Sequence, residues 1–237
     1  LYISDDVNEL MRYVSTWNVD GLILLGMLHD DFARIKSKYK KPAVLIDSYA
    51  PRNVADYVNV GLDDEQACYD MAKYLLENGH RKIAFLADNM EGVDYQRYMG
   101  FLRAMHDHGL ETNEDNLIMI HPGILERRSN MQEIYEKSKN YTAFMCCSDY
   151  YAVLLMSDFL DRGVRIPEDI SFTGFDDDYT ARLVRPKLTT IRQDIREKGR
   201  IAVDSLEKLI RGEKPENKNY CLPVELVFRD SVKKITE

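Results

Sequence analysis

Short apolar segments alternate along the chain with longer segments in which apolar residues recur every three or four positions. Most of the short segments are continuously apolar, which is typical of parallel strands covered on both faces. The predicted strands are Leu22–Leu25, Ala43–Ile46, Ile83–Ala87, Leu117–Ile120, Ala143–Cys146, Ile170–Thr173, Leu188–Ile191 and Val224–Phe228. The predicted helices lie near Val7–Trp17, Glu65–Asn78, Tyr95–His108, Glu126–Lys139, Tyr150–Arg162 and Ile195–Arg211. This alternation predicts an α/β fold with parallel sheets and right-handed crossovers.

One predicted helix, Tyr150–Arg162, is apolar on nearly every side. Only one face of a helix can pack on its own sheet, so such a helix is buried on two sides, in a deep core or against a partner chain. We favour the partner chain.

Composition and charge narrow the class of protein. The chain has 237 residues, of which 45% are hydrophobic and 30% charged, an ordinary globular balance. No run of about 18 apolar residues predicts a membrane span, and the first residues do not resemble a signal peptide, so we expect a cytoplasmic protein. The formal net charge of -8 predicts that the chain by itself does not bind nucleic acid.

Four groups of segments resemble the lactose-repressor/galactose-repressor (LacI/GalR) family of transcription regulators over essentially the whole chain. They occur in the family's order and at its spacing. The segments are Val60–Asp64 with Ala72–Leu75 and Gly79–Ala84; Arg97–Phe101; Ser148–Asp149 with Gly163–Ile170 and Gly174–Asp177; and Pro186–Gln193 with Leu222–Leu226 and Arg229.

The resemblance implies a periplasmic-binding-protein-like fold of type I, with two Rossmann-like lobes and a ligand cleft between them. The N-terminal lobe would comprise residues 1–60 and 194–222, and the C-terminal lobe residues 61–193 and 223–237. Leu1–Ser4 corresponds to the second strand of the family fold. The resemblance therefore implies that a DNA-binding helix-turn-helix and the first strand are missing from the sequence as given.

The resemblance also implies a set of ligand contacts. Carboxylates, a guanidinium and an amide suit the hydroxyl groups of a sugar, and three of the aspartates follow predicted strands, where open α/β sheets bind ligands. We expect Arg97 to be an exposed residue of the cleft. The implied contacts are Asp47, Arg97, Ser148, Asp149, Asp176 and Gln193, and Tyr49, Tyr150 and Phe175 are candidates for stacking on a sugar ring.

Each of these residues has a structural alternative. Asp47 and Asp176 are also expected as caps of a following turn or helix, and Asp149 is a candidate N-cap of the helix at Tyr150. Catalytic chemistry has no comparable support. His106 and His108 point to different sides of a helix and cannot share a metal. No nucleotide-binding or nucleophile motif occurs, so we expect neither an enzyme nor a cofactor.

These observations predict the effector-sensing domain of a bacterial transcription regulator, a repressor that forms a homodimer and contacts DNA only through its headpiece. The effector is expected to be a carbohydrate. By resemblance, Val153, Ser157, Leu183 and Val184 form the dimer contact. The alternative is a solute-binding protein of a sugar transporter, which shares the fold.

Overall fold

A computed structural model of the chain describes residues 7–48 and 57–236. Strands and helices alternate through most of this part. The helices are α1 (Val7–Trp17), α2 (His29–Lys38), α3 (Asp64–Glu77), α4 (Gly92–Asp107), α5 (Ile124–Ser138), α6 (Asp149–Asp161), α7 (Tyr179–Leu183) and α8 (Ile195–Ile210). The strands are β1 (Leu22–Leu25), β2 (Ala43–Ile46), β3 (Tyr57–Leu62), β4 (Ile83–Ala87), β5 (Leu117–Met119), β6 (Ala143–Cys146), β7 (Ser171–Thr173), β8 (Thr190–Gln193), β9 (Asn219–Leu222) and β10 (Val224–Val227).

The chain divides into two compact units and passes from one to the other three times. Unit 1 comprises the described residues of Leu1–Leu62 and Asp194–Pro223, and unit 2 those of Asp63–Gln193 and Val224–Glu237. Each unit therefore contains segments that are distant in sequence.

Unit 1 is built on a parallel sheet with the strand order β1-β2-β3-β9. Apolar residues of β1, α2, β2 and β3 form a core cluster on which Val7, Leu10 and Met11 of α1 pack. Helix α8 contacts β1, β2 and β3. The spacing of apolar positions in α1 and α8 explains why each buries one stripe and leaves the rest to solvent.

Unit 2 contains a parallel sheet with the order β5-β4-β6-β7 and an antiparallel pair, β8 and β10. Strands β4, β6 and β7 are buried along their whole length, which is typical of parallel strands covered on both faces, whereas Met119 of the edge strand β5 is exposed. Six phenylalanines of unit 2 have no exposed surface: Phe85, Phe101, Phe144, Phe159, Phe172 and Phe175.

Helices α3 and α4 of unit 2 lie unusually close together. A Cβ atom on Gly100 of α4 would stand 2.0 Å from the carbonyl oxygen of Glu65 in α3. Any side chain at this position would separate the helices, so their contact depends on glycine. In the described part of the chain, no helix combines the length and the apolar composition that a membrane crossing requires.

Candidate functional site

Unit 2 presents a row of polar residues along one edge of its parallel sheet. Asp88 follows β4, His121 follows β5, Ser148 follows β6 and Asp176 follows β7. The strands are parallel and adjacent, so their carboxyl ends share an edge, and ligands of open α/β sheets bind at such edges. We call this row the carboxyl edge of unit 2.

Arg97 of α4 is held near this edge by several contacts. Its Nε donates to Asp64 Oδ1 at 2.9 Å, and a terminal nitrogen donates to the carbonyl oxygen of Cys147 at 2.7 Å. The same terminal nitrogen lies 3.6 Å from Asp94 Oδ1. The guanidinium carbon lies 3.6 Å from the ring centroid of Phe175, a close cation–π contact. These groups fix the orientation of Arg97.

The expectation that Arg97 is exposed is wrong. The residue is 6% exposed, and the side chain of Asp64 is 1% exposed. Burial by itself would lower the pKa of the guanidinium, but the carboxylates of Asp64 and Asp94 raise it above its ordinary value. The close approach of α3 and α4 explains the burial, because it brings the charged groups of the two helices together away from water.

Asp176 and Gln193 form a polar pair at the carboxyl edge. Gln193 Nε2 donates to Asp176 Oδ1 at 2.5 Å, and the backbone nitrogen of Asp176 donates to the carbonyl oxygen of Ile191 at 2.8 Å. Both members of the pair are partly exposed. Asp176 is not the cap of the following helix, because the N-cap of α7 is Asp178. The pair therefore remains a candidate for contact with a ligand.

The backbone at this point adopts conformations that are rare for residues other than glycine. The φ angle is 119° at Asp176 and 55° at Asp177. Strain of this kind persists only where surrounding contacts enforce it, and it is concentrated at functional sites.

Asp149 is placed differently from the prediction. It has no exposed surface, and its carboxylate accepts hydrogen bonds from Thr190 Oγ1 at 2.5 Å and from the backbone nitrogen of Asp178 at 2.9 Å. Burial raises the pKa of Asp149 to about 7, although these two donors oppose the shift. In this structure the carboxylate is enclosed by protein groups, and its assignment as a ligand contact stays a prediction.

Ser148, and not Asp149, is the N-cap of α6. Its Oγ accepts a hydrogen bond from the backbone nitrogen of Tyr151 at 3.4 Å. The alternative that Asp149 caps this helix is therefore wrong by one residue. Ser148 is partly exposed at the carboxyl edge, so its hydroxyl is also accessible to a ligand.

The aromatic candidates for stacking on a sugar ring differ in their exposure to solvent. Tyr150 is 54% exposed, and its hydroxyl accepts a hydrogen bond from Arg127 at 2.7 Å. Phe175 has no exposed surface, and its ring is covered by Arg97. In this structure the ring of Phe175 therefore stacks on Arg97, and its stacking on a ligand stays a prediction. Tyr49 lies outside the described residues.

The structure adds a polar network beside Arg97. Asn89 Nδ2 donates to Asp88 at 2.9 Å and to Asp94 at 2.8 Å, and the hydroxyl of Tyr151 donates to Asp88 at 2.5 Å. Burial, reinforced by the carboxylate of Asp88, raises the pKa of Asp94 to about 6. The possible ligand atoms of Asp88, Asp94 and Cys147 lie within 4.8 Å of one another. Asp88 thus accepts hydrogen bonds from Asn89 and Tyr151, and Asp94 accepts one from Asn89 and lies beside Arg97.

A cavity of about 520 Å³ lies at the same edge and is lined by Asp88, His121, Glu126 and Asn130, among others. Its volume is within the range of about 300–1,000 Å³ that is usual for small-molecule sites. The backbone nitrogen of His121 donates to Asn130 Oδ1 at 2.9 Å, which holds the loop in place. Asp88 and His121 directly follow predicted strands, and this position is the signal by which the sequence could have identified them.

In unit 1, Asp47 follows β2 at the carboxyl edge of that sheet. Its backbone has a φ of 51°, and its nitrogen donates to the carbonyl oxygen of Val60 at 3.1 Å. Its Oδ1 accepts a hydrogen bond at 2.5 Å from Lys198 of α8, whose side chain is 3% exposed. The Asp47 side chain is 26% exposed. Its role as a ligand contact and the alternative of a cap both stay predictions.

The predicted dimer contact lies on α6 and at the end of α7, two helices that pack against each other. Ser157 and Leu183 are exposed, the latter at 55%, and Val153 and Val184 are partly exposed. The four residues are therefore accessible on the surface of unit 2.

Two α/β units, each with a parallel sheet and with polar residues at the carboxyl ends of its strands, define a ligand-binding module of the periplasmic-binding-protein type. A family model described as "Periplasmic binding protein-like domain" matches residues 72–232. The transcription regulator CelR, solved as a complex with cellobiose, has a TM-score of 0.82 and 25% identity, covering 95% of this chain and 69% of CelR. A LacI regulator from Bacillus cereus subsp. cytotoxis has a TM-score of 0.86 and 21% identity, covering 100% and 86% of the two chains.

The chain belongs to the LacI/GalR family of transcription regulators. Among its relatives is the transcriptional repressor PurR of Vibrio vulnificus, which is 32% identical over 98% of this chain and 70% of the repressor. The predicted family, fold class and regulatory role are thus confirmed. The alternative of a transporter's solute-binding protein receives no support, since these relatives are regulators.

Proposed function

We propose that the chain senses a small polyhydroxylated molecule, a sugar, and thereby controls DNA binding by a helix-turn-helix segment of the regulator. The chemistry of the carboxyl edge supports a sugar. A carboxylate and an amide placed side by side accept from and donate to neighbouring hydroxyl groups. The cellobiose complex of the related regulator CelR adds to this support.

The observation that carries the proposal is the pair Asp176–Gln193. Both side chains are partly exposed and are joined by a hydrogen bond. Gln193 belongs to β8, and Asp176 has a positive φ. Ser148 and Tyr150 lie at the same edge and supply a hydroxyl and an exposed ring. In unit 1, Asp47 remains a proposed ligand contact.

Arg97 has a supporting role in this proposal. Its guanidinium packs on Phe175, the residue before Asp176, and holds the end of β6 through the carbonyl oxygen of Cys147. It therefore orients the carboxyl edge from within. A ligand need not touch it.

Regulation requires that the ligand bind one arrangement of the protein more tightly than another, since only differential affinity shifts an equilibrium. A difference of about 1–3 kcal/mol changes the affinity for a second partner about 5- to 150-fold. We propose that the second partner is operator DNA in the cytoplasm, that the regulator has no catalytic activity, and that it acts as a homodimer.

The homodimer is proposed on the exposed apolar surface of α6 and α7. Tyr179 and Leu183 are 74% and 55% exposed, and Leu160 is 38% exposed. Monomers rarely leave a large continuous apolar patch uncovered. A second copy of this surface, related by a two-fold axis, covers it symmetrically through Val153, Ser157, Leu183 and Val184.

A thermal-shift screen tests the proposed effector class. The panel contains mono- and disaccharides including cellobiose, sugar phosphates and purines. A ligand at 100 times its Kd stabilises the folded state by about 2.7 kcal/mol, which is roughly 5–10 °C for a protein of this size. An equal concentration of sorbitol controls for general stabilisation by polyols. Stabilisation by purines or sugar phosphates without any by neutral saccharides contradicts the proposal.

A further inference from the structure

The loop Gly174–Asp178 joins the proposed ligand pair to the proposed dimer contact. Asp176 lies within it, and Asp178 at its end is the N-cap of α7, whose last residue is Leu183. Two consecutive residues of the loop, Asp176 and Asp177, have positive φ angles. A conformation of this kind needs external contacts to hold it.

Asp149 holds the loop from one side. Its backbone nitrogen donates to the carbonyl oxygen of Phe175 at 2.8 Å, and its carboxylate accepts from the backbone nitrogen of Asp178 at 2.9 Å. A Cβ on Gly174 would lie 2.2 Å from Asp149 Oδ1, so the loop rests directly on this carboxylate. Thr190 Oγ1 of β8 donates to the same oxygen, so Asp149 contacts both the loop and β8.

Three guanidinium groups hold the loop at Asp177, whose side chain has no exposed surface. Arg182 and Arg192 donate to its carboxylate at 2.8 and 2.7 Å, and Arg229 donates as well. Burial by itself would raise the pKa of Asp177, but the three arginines lower it below its ordinary value. Asp177 therefore stays ionised and anchored.

The loop is short, and contacts with Asp149 hold it near both ends, at Gly174 and at Asp178. The backbone nitrogen of Asp178 is bound to Asp149, while its side chain caps α7 by accepting from the nitrogen of Ala181 at 3.0 Å. Helix α7 packs on α6. These contacts connect Asp176 to the surface that carries Leu183.

We propose that Asp149 is a positioning residue that couples effector binding at Asp176 to the association of two copies of the chain through α7. The inference rests on the proposed function, and it adds a route of regulation within unit 2. Because linkage is reciprocal, an effector that alters dimer affinity through this route is itself bound with an affinity that depends on dimerisation.

Four variants separate this role from a general loss of stability. Asp149→Ala removes both hydrogen bonds. Asp149→Asn retains them, because the amide oxygen accepts from Asp178 and the amide nitrogen donates to the hydroxyl oxygen of Thr190. Thr190→Val is nearly isosteric and removes one hydrogen bond, so it serves if the alanine variant does not fold. The matched control is Asp63→Ala, which removes the N-cap of α3 and none of the hydrogen bonds by which Asp149 holds the loop.

Sedimentation equilibrium of each folded variant gives the dimer Kd with and without a saturating saccharide. The probe is cellobiose, or the saccharide of the panel that stabilises the wild type. We expect Asp149→Ala to weaken the dimer on the order of tenfold and to abolish the effect of the saccharide on the dimer Kd. Thr190→Val acts in the same direction to a smaller extent, and Asp149→Asn and Asp63→Ala behave as the wild type.

The possible failures are distinguishable. If no saccharide binds the wild type, the proposed function fails and the coupling fails with it. If a saccharide binds but Asp149→Ala leaves the dimer Kd and its response to the saccharide unchanged, the coupling alone is overturned. Equal loss in the asparagine and alanine variants also overturns it, since the hydrogen bonds retained by asparagine would then not matter.

Discussion

Removal of one partner of the buried ion pair between Arg97 and Asp64 is expected to destabilise unit 2 strongly. Their side chains are 7% and 1% exposed and are joined at 2.9 Å. Removing one partner of such a pair leaves the other charge buried and uncompensated, which costs about 3–5 kcal/mol. Arg97→Ala also leaves the carbonyl oxygen of Cys147 without its donor, which adds to the loss.

For a protein of this size, about 3–5 kcal/mol corresponds to a decrease in Tm of roughly 6–20 °C. Chemical denaturation followed by circular dichroism measures the change in the free energy of unfolding. The double variant Arg97→Ala/Asp64→Asn is the informative companion, because it removes the stranded carboxylate. We expect it to be more stable than Arg97→Ala alone.

Two results would refute this reasoning. One is a free energy of unfolding for Arg97→Ala within about 1 kcal/mol of the wild type, the range of an exposed arginine. The other is a double variant that is no more stable than the single one. Either result would show that Arg97 and Asp64 do not depend on each other energetically.

Three further predictions follow from the structure and the composition. The pKa of Asp149 is raised to about 7 and that of Asp94 to about 6, so the folded state holds protons that the unfolded state releases from about pH 4. The free energy of unfolding should fall from about pH 4 to pH 7, and urea titrations of Asp149→Asn should show a smaller fall; an equal fall is the contrary result. By sedimentation, the wild type should be a dimer and Val153→Asp a monomer or a much weaker dimer, because the new charge is desolvated once in each copy; a monomeric wild type contradicts the proposed contact. Gel-shift assays of the chain alone should show no salt-sensitive binding to duplex DNA, given its net charge of -8; a shift that weakens steeply with salt is the opposite outcome.

The elements of the fold that were predicted from sequence are those with a clear apolar pattern. The strands Leu22–Leu25, Ala43–Ile46, Ile83–Ala87 and Ala143–Cys146 have the predicted bounds. Two strands were missed because neither has a long, continuously apolar sequence. Tyr57–Leu62 contains Asn59 and Gly61, and Asn219–Leu222 is largely exposed. Their pairing along the unit 1 sheet, in parallel register, is what makes them strands.

One strand was predicted two residues too early in the sequence. Leu188–Ile191 was expected, whereas the structure has Thr190–Gln193. The apolar run extends into the buried core at Leu188, which has no exposed surface. The ladder itself is set by pairing with β10, where Arg192 lies opposite Glu225 and donates to it at 2.7 Å. Such cross-strand pairs are invisible in the pattern of a single segment.

The burial of site residues could not be predicted because their partners are distant in sequence. Asp64 is 33 positions from Arg97, and Thr190 is 41 positions from Asp149. A pattern of residue types identifies which side chains are polar and where strands end. It does not show whether a charged group faces solvent or another charge, and this depends on how closely two helices or a loop and a helix approach.

The central claim is that the carboxyl edge of unit 2 binds a saccharide through Asp176. Isothermal titration calorimetry of the wild type, Asp176→Ala and the exposed control Asp70→Ala, with the saccharide that stabilises the wild type in the thermal-shift screen, tests it most directly. Loss of a hydrogen bond to a charged group costs about 1.5–3 kcal/mol. We predict about 10- to 150-fold weaker binding by Asp176→Ala and unchanged binding by Asp70→Ala. Equal affinity of a folded Asp176→Ala variant and the wild type would contradict the account.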